Sequence, residues 1–97
     1  MYARSLIGAF ATLLWLAGQA QAACYADYKA SRDNPFKLHY GVIRIDVNPC
    51  TLSDQVVHDV AERLKASGWK LLQVRSVFGE GGLEQRREDA GQYFLRF

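Results

Sequence analysis

Four stretches of the chain carry the apolar pattern of a regular secondary-structure element. Residues 38–47 (LHYGVIRIDV) alternate branched apolar and polar side chains, as a strand with one buried face does. In residues 54–67, apolar side chains recur every three or four positions, which is the spacing of an amphipathic helix. Residues 69–78 (WKLLQVRSVF) and 92–97 (QYFLRF) again have the composition of strands. The pattern predicts the element order β-α-β-β.

The residues between these elements favour the same boundaries. Pro49 has no backbone N–H to donate to a strand ladder, so the first strand should end before it. Ser53 and Asp54 offer side-chain oxygens that cap a following helix. Gly68 is a natural helix end, because glycine readily adopts the left-handed conformation.

The predicted fold class is α+β: a single small domain, residues 38–97, with a three-stranded sheet and one helix packed on one face. That helix covers one sheet face, yet Tyr40 and Val42 make the other face apolar as well. We expect the N-terminal segment, residues 23–37, to fold over this second face. The alternative is that the open face binds a second copy or a partner protein, since large exposed apolar patches usually mark interaction sites. The sequence leaves the oligomeric state open.

The chain begins like a secretory signal peptide. A positive charge precedes the uncharged apolar residues 6–17 (LIGAFATLLWLA), and small residues follow where signal peptidase needs them. Twelve residues span about 18 Å as a helix, against roughly 30 Å for a bilayer core, which disfavours a membrane anchor. The sequence therefore predicts a signal peptide at residues 1–22, cleavage between Ala22 and Ala23, no stable membrane span afterwards, and a periplasmic or secreted protein.

Both cysteines, Cys24 and Cys50, remain after this cleavage. In an oxidising compartment an even number of cysteines usually forms disulfides, so we expect one bridge that ties the N-terminal segment to the domain. Two alternatives stay open: two free buried thiols, or lipid attachment to Cys24, which would make this a lipid-anchored envelope protein. Gln21 speaks against acylation, because lipoprotein signals usually carry an aliphatic residue at that position.

Charge and motifs exclude several classes of function. Twelve Lys and Arg against ten Asp and Glu give a net charge of +2, which is too small for a nucleic-acid-binding protein. No motif fixes a reaction, and we assign no catalytic residue, metal or cofactor. The alternative is a small metal-dependent or hydrolytic enzyme that uses His39, His58 and nearby acids, because Asp54, His58 and Glu62 share one stripe of the predicted helix.

The long polar connection at residues 79–91 (GEGGLEQRREDAG) is the candidate interaction loop. It is far longer than a usual hairpin loop, and long ordered loops are often functional. Its central residues Glu84, Arg86, Arg87 and Glu88 have the spacing to form one or two helical turns. We consider two interpretations: a solvated hairpin tip, or a loop that presents the arginine pair to an acidic protein partner.

Two short motifs resemble a known family. Residues 68–72 (GWKLL), before a strand, and residues 93–96 (YFLR), near the C-terminus, are similar to small bacterial domains of unknown function built around a Gly-Trp-Glu-Leu-Val core. The resemblance covers residues 38–97, with Lys70 where the family usually has glutamate. It implies a compact β-α-β-β domain, often exported, with no established activity or cofactor. We therefore expect an exported binding or interaction module of unknown specificity.

Overall fold

The structure is a computed structural model that describes residues 23–97. The predicted signal peptide, including Ala22 at the predicted cleavage site, lies outside the described residues. Among the residues that are described, no helix is both long enough and apolar enough to cross a membrane.

The described chain contains three strands and two α-helices. In chain order they are β1 (Cys24–Arg32), β2 (Lys37–Ile45), α1 (Asp54–Ala66), β3 (Lys70–Gly79) and α2 (Glu84–Ala90). Short 3-10 turns precede and follow α2, at Glu80–Gly82 and Gly91–Tyr93. The predicted helix and the first two predicted strands are therefore present, each within two residues of its predicted ends.

The three strands form one antiparallel sheet in the order β2-β1-β3, with α1 packed on one face. The predicted α+β class, with three strands and a helix on the sheet, is confirmed. The identity of the third strand differs from the prediction. The N-terminal segment does not fold over the sheet but supplies its central strand, β1, which pairs with β2 through a tight turn.

Residues 92–97 were predicted to form a strand, and this prediction is wrong. Gly91 and Leu95 both have positive φ, so the segment turns instead of running straight. It follows the outer edge of β2, where the Leu95 backbone N–H donates to the Val42 carbonyl at 2.9 Å. Tyr93 and Phe97 pack into the core beneath α1, whereas Phe94 packs on the opposite face of the sheet.

Local signals in the sequence position α1 as expected. The Ser53 side chain caps the helix by accepting the Val56 backbone N–H at 3.2 Å. Gly68 follows the helix with a φ of 84°, which glycine adopts without the strain a side chain would cause. The helix buries one apolar stripe completely, composed of Val56, Val60 and Leu64. This stripe and the sheet enclose the main core.

The opposite sheet face is covered at one end by the segment that was predicted to be a loop. Ala90 of α2, together with Leu83 and Phe94, packs against Tyr25 and Val42 of the sheet. The other end of this face, around the β1–β2 turn, has no helix over it among residues 23–97. Shielding of the second face thus comes from α2 and the C-terminal residues rather than from the N-terminal segment.

The predicted disulfide is present. Cys24 and Cys50 are bonded, with their Cα atoms 5.6 Å apart and 26 positions apart in the chain. Cys24 is the first residue of the central strand, and Cys50 lies in the connection between β2 and α1. The bridge therefore fixes that connection to the end of the sheet.

Candidate functional site

The loop proposed from the sequence is an ordered helix that one arginine fastens to the sheet. Arg86 Nε donates to Asp27 Oδ2 at 3.1 Å, and Arg86 Nη1 donates to the Gly82 carbonyl at 2.7 Å. The same guanidinium lies over the ring of Phe78, 4.0 Å from its centroid. Arg86 therefore points inward, and each of its three nitrogens donates a hydrogen bond within the domain.

Asp27 is the acceptor at the centre of this polar cluster. Ser76 Oγ donates to Asp27 Oδ1 at 2.6 Å, and the Tyr40 hydroxyl donates to Oδ2 at 2.8 Å. Burial alone would raise the pKa of Asp27, but the hydrogen bonds from Ser76, Tyr40 and Arg86 and the Arg86 charge outweigh it, so the pKa falls below 3.8. Burial and the neighbouring carboxylate raise the pKa of Tyr40 to about 12. Because Arg86 belongs to α2 and Asp27 to β1, the cluster fastens that helix to the sheet.

The remaining predicted loop residues lie on the outer side of α2. Arg87 Nε donates to both carboxylate oxygens of Glu84 at 3.2 Å, and its guanidinium lies over Phe94. Glu84 and Glu88 are exposed. The two arginines thus point to different partners inside the domain. The hypothesis of an arginine pair aimed at an acidic partner gains no support from this arrangement.

Substitution of Asp27 tests the fastening role. Asp27→Ala is expected to lower the free energy of unfolding by about 2 to 3 kcal/mol, because three donors lose their buried acceptor. Urea denaturation at pH 7 measures this loss. Glu84→Ala, which removes an exposed carboxylate from α2, is the matched control and should change stability by less than about 0.5 kcal/mol.

The pH dependence gives the Asp27 prediction a second measurement. The folded-state pKa of Asp27 is lowered from its ordinary value of 3.8. The contribution of its carboxylate to the free energy of unfolding is therefore fully present at a pH well above 3.8 and is lost as the pH falls through the folded-state pKa. The stability difference between the original protein and Asp27→Ala should therefore shrink in strong acid. Equal losses for Asp27→Ala and Glu84→Ala would contradict the fastening role.

The two histidines, considered above as possible catalytic residues, lie in different environments. His39 is buried beneath α1, stacked on Tyr93 at a centroid distance of 3.7 Å and edge-on to Trp69 at 4.2 Å. His58 is exposed on α1. Within residues 23–97, no group of three or more potential metal ligands is close enough to hold an ion. The structure therefore does not bring the histidines together as one site.

The two edge strands of the sheet differ in how their outer edges are covered. Along β2, Leu95 donates to the Val42 carbonyl, and the Arg63 side chain donates to the Arg44 carbonyl and to the Phe97 carbonyl. Along β3, by contrast, the described residues supply no backbone partner on the outer side. Strand β3 thus offers a row of free main-chain donors and acceptors.

An apolar groove of about 480 Å³ runs between this open edge and α1. Val57 and Ala61 line it from the helix, and residues 69–74 line it from the strand. Consecutive side chains of a strand point to opposite faces of the sheet. Residues 69–74 all line the groove, so the groove is not confined to one face and also reaches the outer edge of β3. The groove and the edge together form the candidate functional site, which we call the β3 groove.

The rim of the β3 groove carries more positive than negative charge. Lys65 and Lys70 line it together with Glu62. Arg75, farther along β3, is exposed outside the groove and lines a separate depression with Asp27 and Asp89. These cations lie where a ligand along the strand would pass. An acidic ligand is therefore favoured over a basic one.

Comparison with known proteins does not assign the site. Neither a protein-family model, nor a curated protein, nor a solved structure matches this chain. The resemblance to the Gly-Trp-Glu-Leu-Val family stays a prediction. The function must be inferred from the geometry of the β3 groove and its surroundings.

The sequence contained only an indirect signal for this groove. Val57 belongs to the apolar spacing of α1, but its side chain is 39% exposed, unlike Val56 and Val60. Val57 therefore makes the apolar stripe of α1 wider than the part of the helix that is buried against the sheet. The open edge itself depends on strand order, which the pattern of single strands does not contain.

Proposed function

We propose that this protein is an exported interaction domain that binds an extended segment of a partner protein along β3. The observation that carries the proposal is the open outer edge of β3 beside an apolar groove. An added strand would pair with the free main-chain groups, and its alternate side chains would enter the groove. Main-chain pairing provides affinity in such complexes, and the groove provides selectivity.

The covered edge of β2 supports the choice of β3. Natural sheets commonly protect their edges, because an open edge pairs readily with other chains. In this domain the C-terminal residues and Arg63 occupy one edge, while among residues 23–97 the other edge has no backbone partner along residues 70–77. The Phe78 carbonyl, near the end of β3, lies 3.5 Å from Cys50 Sγ. The difference between the edges favours a binding role for β3.

Charge favours an acidic partner over a second copy of this chain. In an antiparallel pairing of two β3 strands, Lys70 and Arg75 of both copies would lie within one small interface. Like charges on paired strands are destabilising. An extended segment that alternates acidic and apolar residues would instead pair its carboxylates with these cations and bury its apolar side chains.

Export is part of the proposal and has its own support. Residues 1–22 have the pattern of a signal peptide, and the Cys24–Cys50 disulfide is typical of an oxidising compartment. We expect the intact mass of the envelope-derived protein to correspond to a chain that begins at Ala23. An acylated Cys24 would contradict this, because a thioether-linked cysteine has no thiol left for the disulfide.

A synthetic peptide tests the binding site. The probe is a ten-residue peptide of alternating glutamate and valine with blocked ends, added to isotope-labelled protein and followed by amide NMR shifts and amide exchange. We expect shifted and more strongly protected amides along β3. A lysine–valine peptide is the charge control. A glutamate–valine peptide N-methylated at alternate residues keeps every side chain but removes the main-chain donors of one edge.

Variants distinguish strand addition at β3 from adhesion elsewhere. Lys70→Glu combined with Arg75→Glu should weaken binding of the acidic peptide about tenfold. Arg44→Glu, a charge reversal on the opposite edge strand, should leave it unchanged. No binding, or binding that leaves the β3 amides unaffected, would overturn the proposal.

A further inference from the structure

The end of the domain at the β1–β2 turn exposes several large apolar side chains. Phe36 in the turn is 66% exposed, Leu38 at the start of β2 is 62% exposed, and Leu72 of β3 is 51% exposed. Leu38 and Leu72 line one shallow depression of about 290 Å³ on the sheet face, together with Lys29. We call this end of the molecule the hairpin end.

Positive charges gather at the same end because of the strand register. Arg32 is paired with Lys37 next to the turn, and Lys70 is paired with Ser31. Lys29, which is paired with Tyr40, lies three pairs farther from the turn than Arg32 and is exposed. Within the described turn, residues 33–36, Asp33 is the single acid.

Acidic residues lie toward the opposite end. Asp46 follows the last residue of β2, Asp54 begins α1, and Glu80 follows β3, all near the disulfide. The topology thus divides the charges between a mainly cationic hairpin end and a mixed disulfide end, where Arg44 and the Arg63 side chain accompany these carboxylates. The sequence alone does not display this division, because the cations come from three separate segments.

We propose that the hairpin end binds the surface of a membrane that contains acidic phospholipids. Phe36 and Leu38 enter the boundary between headgroups and acyl chains, and the surrounding cations contact the phosphates. Apolar side chains bordered by Lys and Arg are the combination that binds anionic bilayer surfaces. The inference does not depend on the β3 groove having a protein ligand.

Two other occupants fit the hairpin end less well. A second copy would bring two clusters of like charge together. A soluble acidic polymer would use the cations but would leave Phe36 and Leu38 exposed to water. A lipid surface satisfies both the charges and the apolar side chains.

Vesicle co-sedimentation tests the proposal with the purified protein. We expect binding to vesicles of phosphatidylglycerol mixed with phosphatidylcholine, weaker binding as salt increases, and little binding to phosphatidylcholine alone. Lys70 and Leu72 also line the β3 groove, so the variants avoid them. Phe36→Ser with Leu38→Ser should reduce binding about tenfold or more, as should Lys29→Glu with Lys37→Glu.

Leu52 provides the matched control. It is 54% exposed but precedes α1 near the disulfide, so Leu52→Ser should leave vesicle binding unchanged. All substituted side chains are exposed, and unchanged thermal unfolding of each variant verifies its fold. In a separate measurement, the fluorescence of Phe36→Trp should shift to shorter wavelength with acidic vesicles, whereas that of Leu52→Trp should not.

Several outcomes would overturn the proposal. These are no binding to acidic vesicles, equal binding to phosphatidylcholine alone, or full binding by Phe36→Ser with Leu38→Ser. Soluble polyglutamate that displaces the protein completely from vesicles, without any shift for Phe36→Trp, would assign the hairpin end to acidic polymers instead.

Discussion

Reduction of the Cys24–Cys50 disulfide is expected to lower the free energy of unfolding by about 3 to 4 kcal/mol. The bridge closes a loop between residues 26 positions apart, and the chain-entropy model gives this magnitude for such a loop. Small domains have a total stability of roughly 5 to 15 kcal/mol, so the loss is a large fraction. Urea denaturation with and without reductant measures it, and the melting temperature should fall by about 15 to 25 °C.

A double variant separates loop closure from side effects of the reductant. Cys24→Ala with Cys50→Ala should lose about as much stability as the reduced protein, and reductant should then have no further effect. Cys24 is buried at the end of the central strand, so the alanine there keeps most of the packing. A loss of less than about 1 kcal/mol in both cases would contradict a stabilising role for the bridge.

The elements that the sequence predicted correctly are those with one buried face. In α1 the buried residues Val56, Val60 and Leu64 alternate with exposed ones at helical spacing. In the second half of β2, Ile43 and Ile45 are buried while Arg44 is exposed. A one-sided environment leaves a period in the sequence, and the period identifies the element.

Strand β1 was missed because both of its faces are covered. Its first five residues, Cys24 to Tyr28, are all buried, and they include the charged Asp27. Without an exposed face there is no alternation of polar and apolar positions. The central strand of the sheet therefore looked like an irregular segment.

At the C-terminus the sequence pattern predicted a strand, residues 92–97, that the structure does not contain. Tyr93, Leu95 and Phe97 occupy alternate positions, as apolar residues of a strand would, but the chain turns around the edge of β2. The apolar pattern arises because the segment supplies side chains to two cores on opposite faces of the sheet. Apolar alternation alone does not distinguish that path from a straight strand.

The candidate sites depend on long-range arrangement to different degrees. The charged loop was recognised from composition, but its Arg86 faces Asp27, which is 59 positions away in the chain. The β3 groove follows from β1 taking the central place, which leaves β3 at an edge. The hairpin end combines side chains from both sides of the β1–β2 turn with the start of β3. Such sites are set by strand order and register, which local patterns do not encode.

The buried His39 should make the protein less stable in mild acid. Burial lowers the pKa of His39 from its ordinary 6.5 to about 4 in the folded protein. Between pH 7 and pH 4 the unfolded chain therefore binds a proton that the folded protein excludes. By linkage, the free energy of unfolding should fall by about 3 kcal/mol over that interval.

The contacts around His39 explain why a proton is excluded. Its Nε2 shares a hydrogen bond of 2.9 Å with the Tyr28 hydroxyl, while Nδ1 is buried without a partner in the described structure. The other neighbours are the rings of Trp69, Tyr93 and Phe97. Burial, together with the neighbouring Tyr93, raises the pKa of Tyr28, so that hydroxyl stays protonated across the same interval. Among residues 23–97, no carboxylate forms an ion pair with the ring that would stabilise a positive charge.

Urea denaturation at a series of pH values, compared between variants, tests this prediction. His39→Phe keeps a ring against Tyr93 and should flatten the pH dependence between 7 and 4, even though it leaves the Tyr28 hydroxyl without its partner at every pH. Adding Tyr28→Phe removes that unpaired hydroxyl and should keep the flat profile. His58→Gln, which replaces the exposed histidine of α1, is the matched control and should retain the slope that His39 causes. A profile for His39→Phe as steep as the original would mean that other groups cause the acid sensitivity.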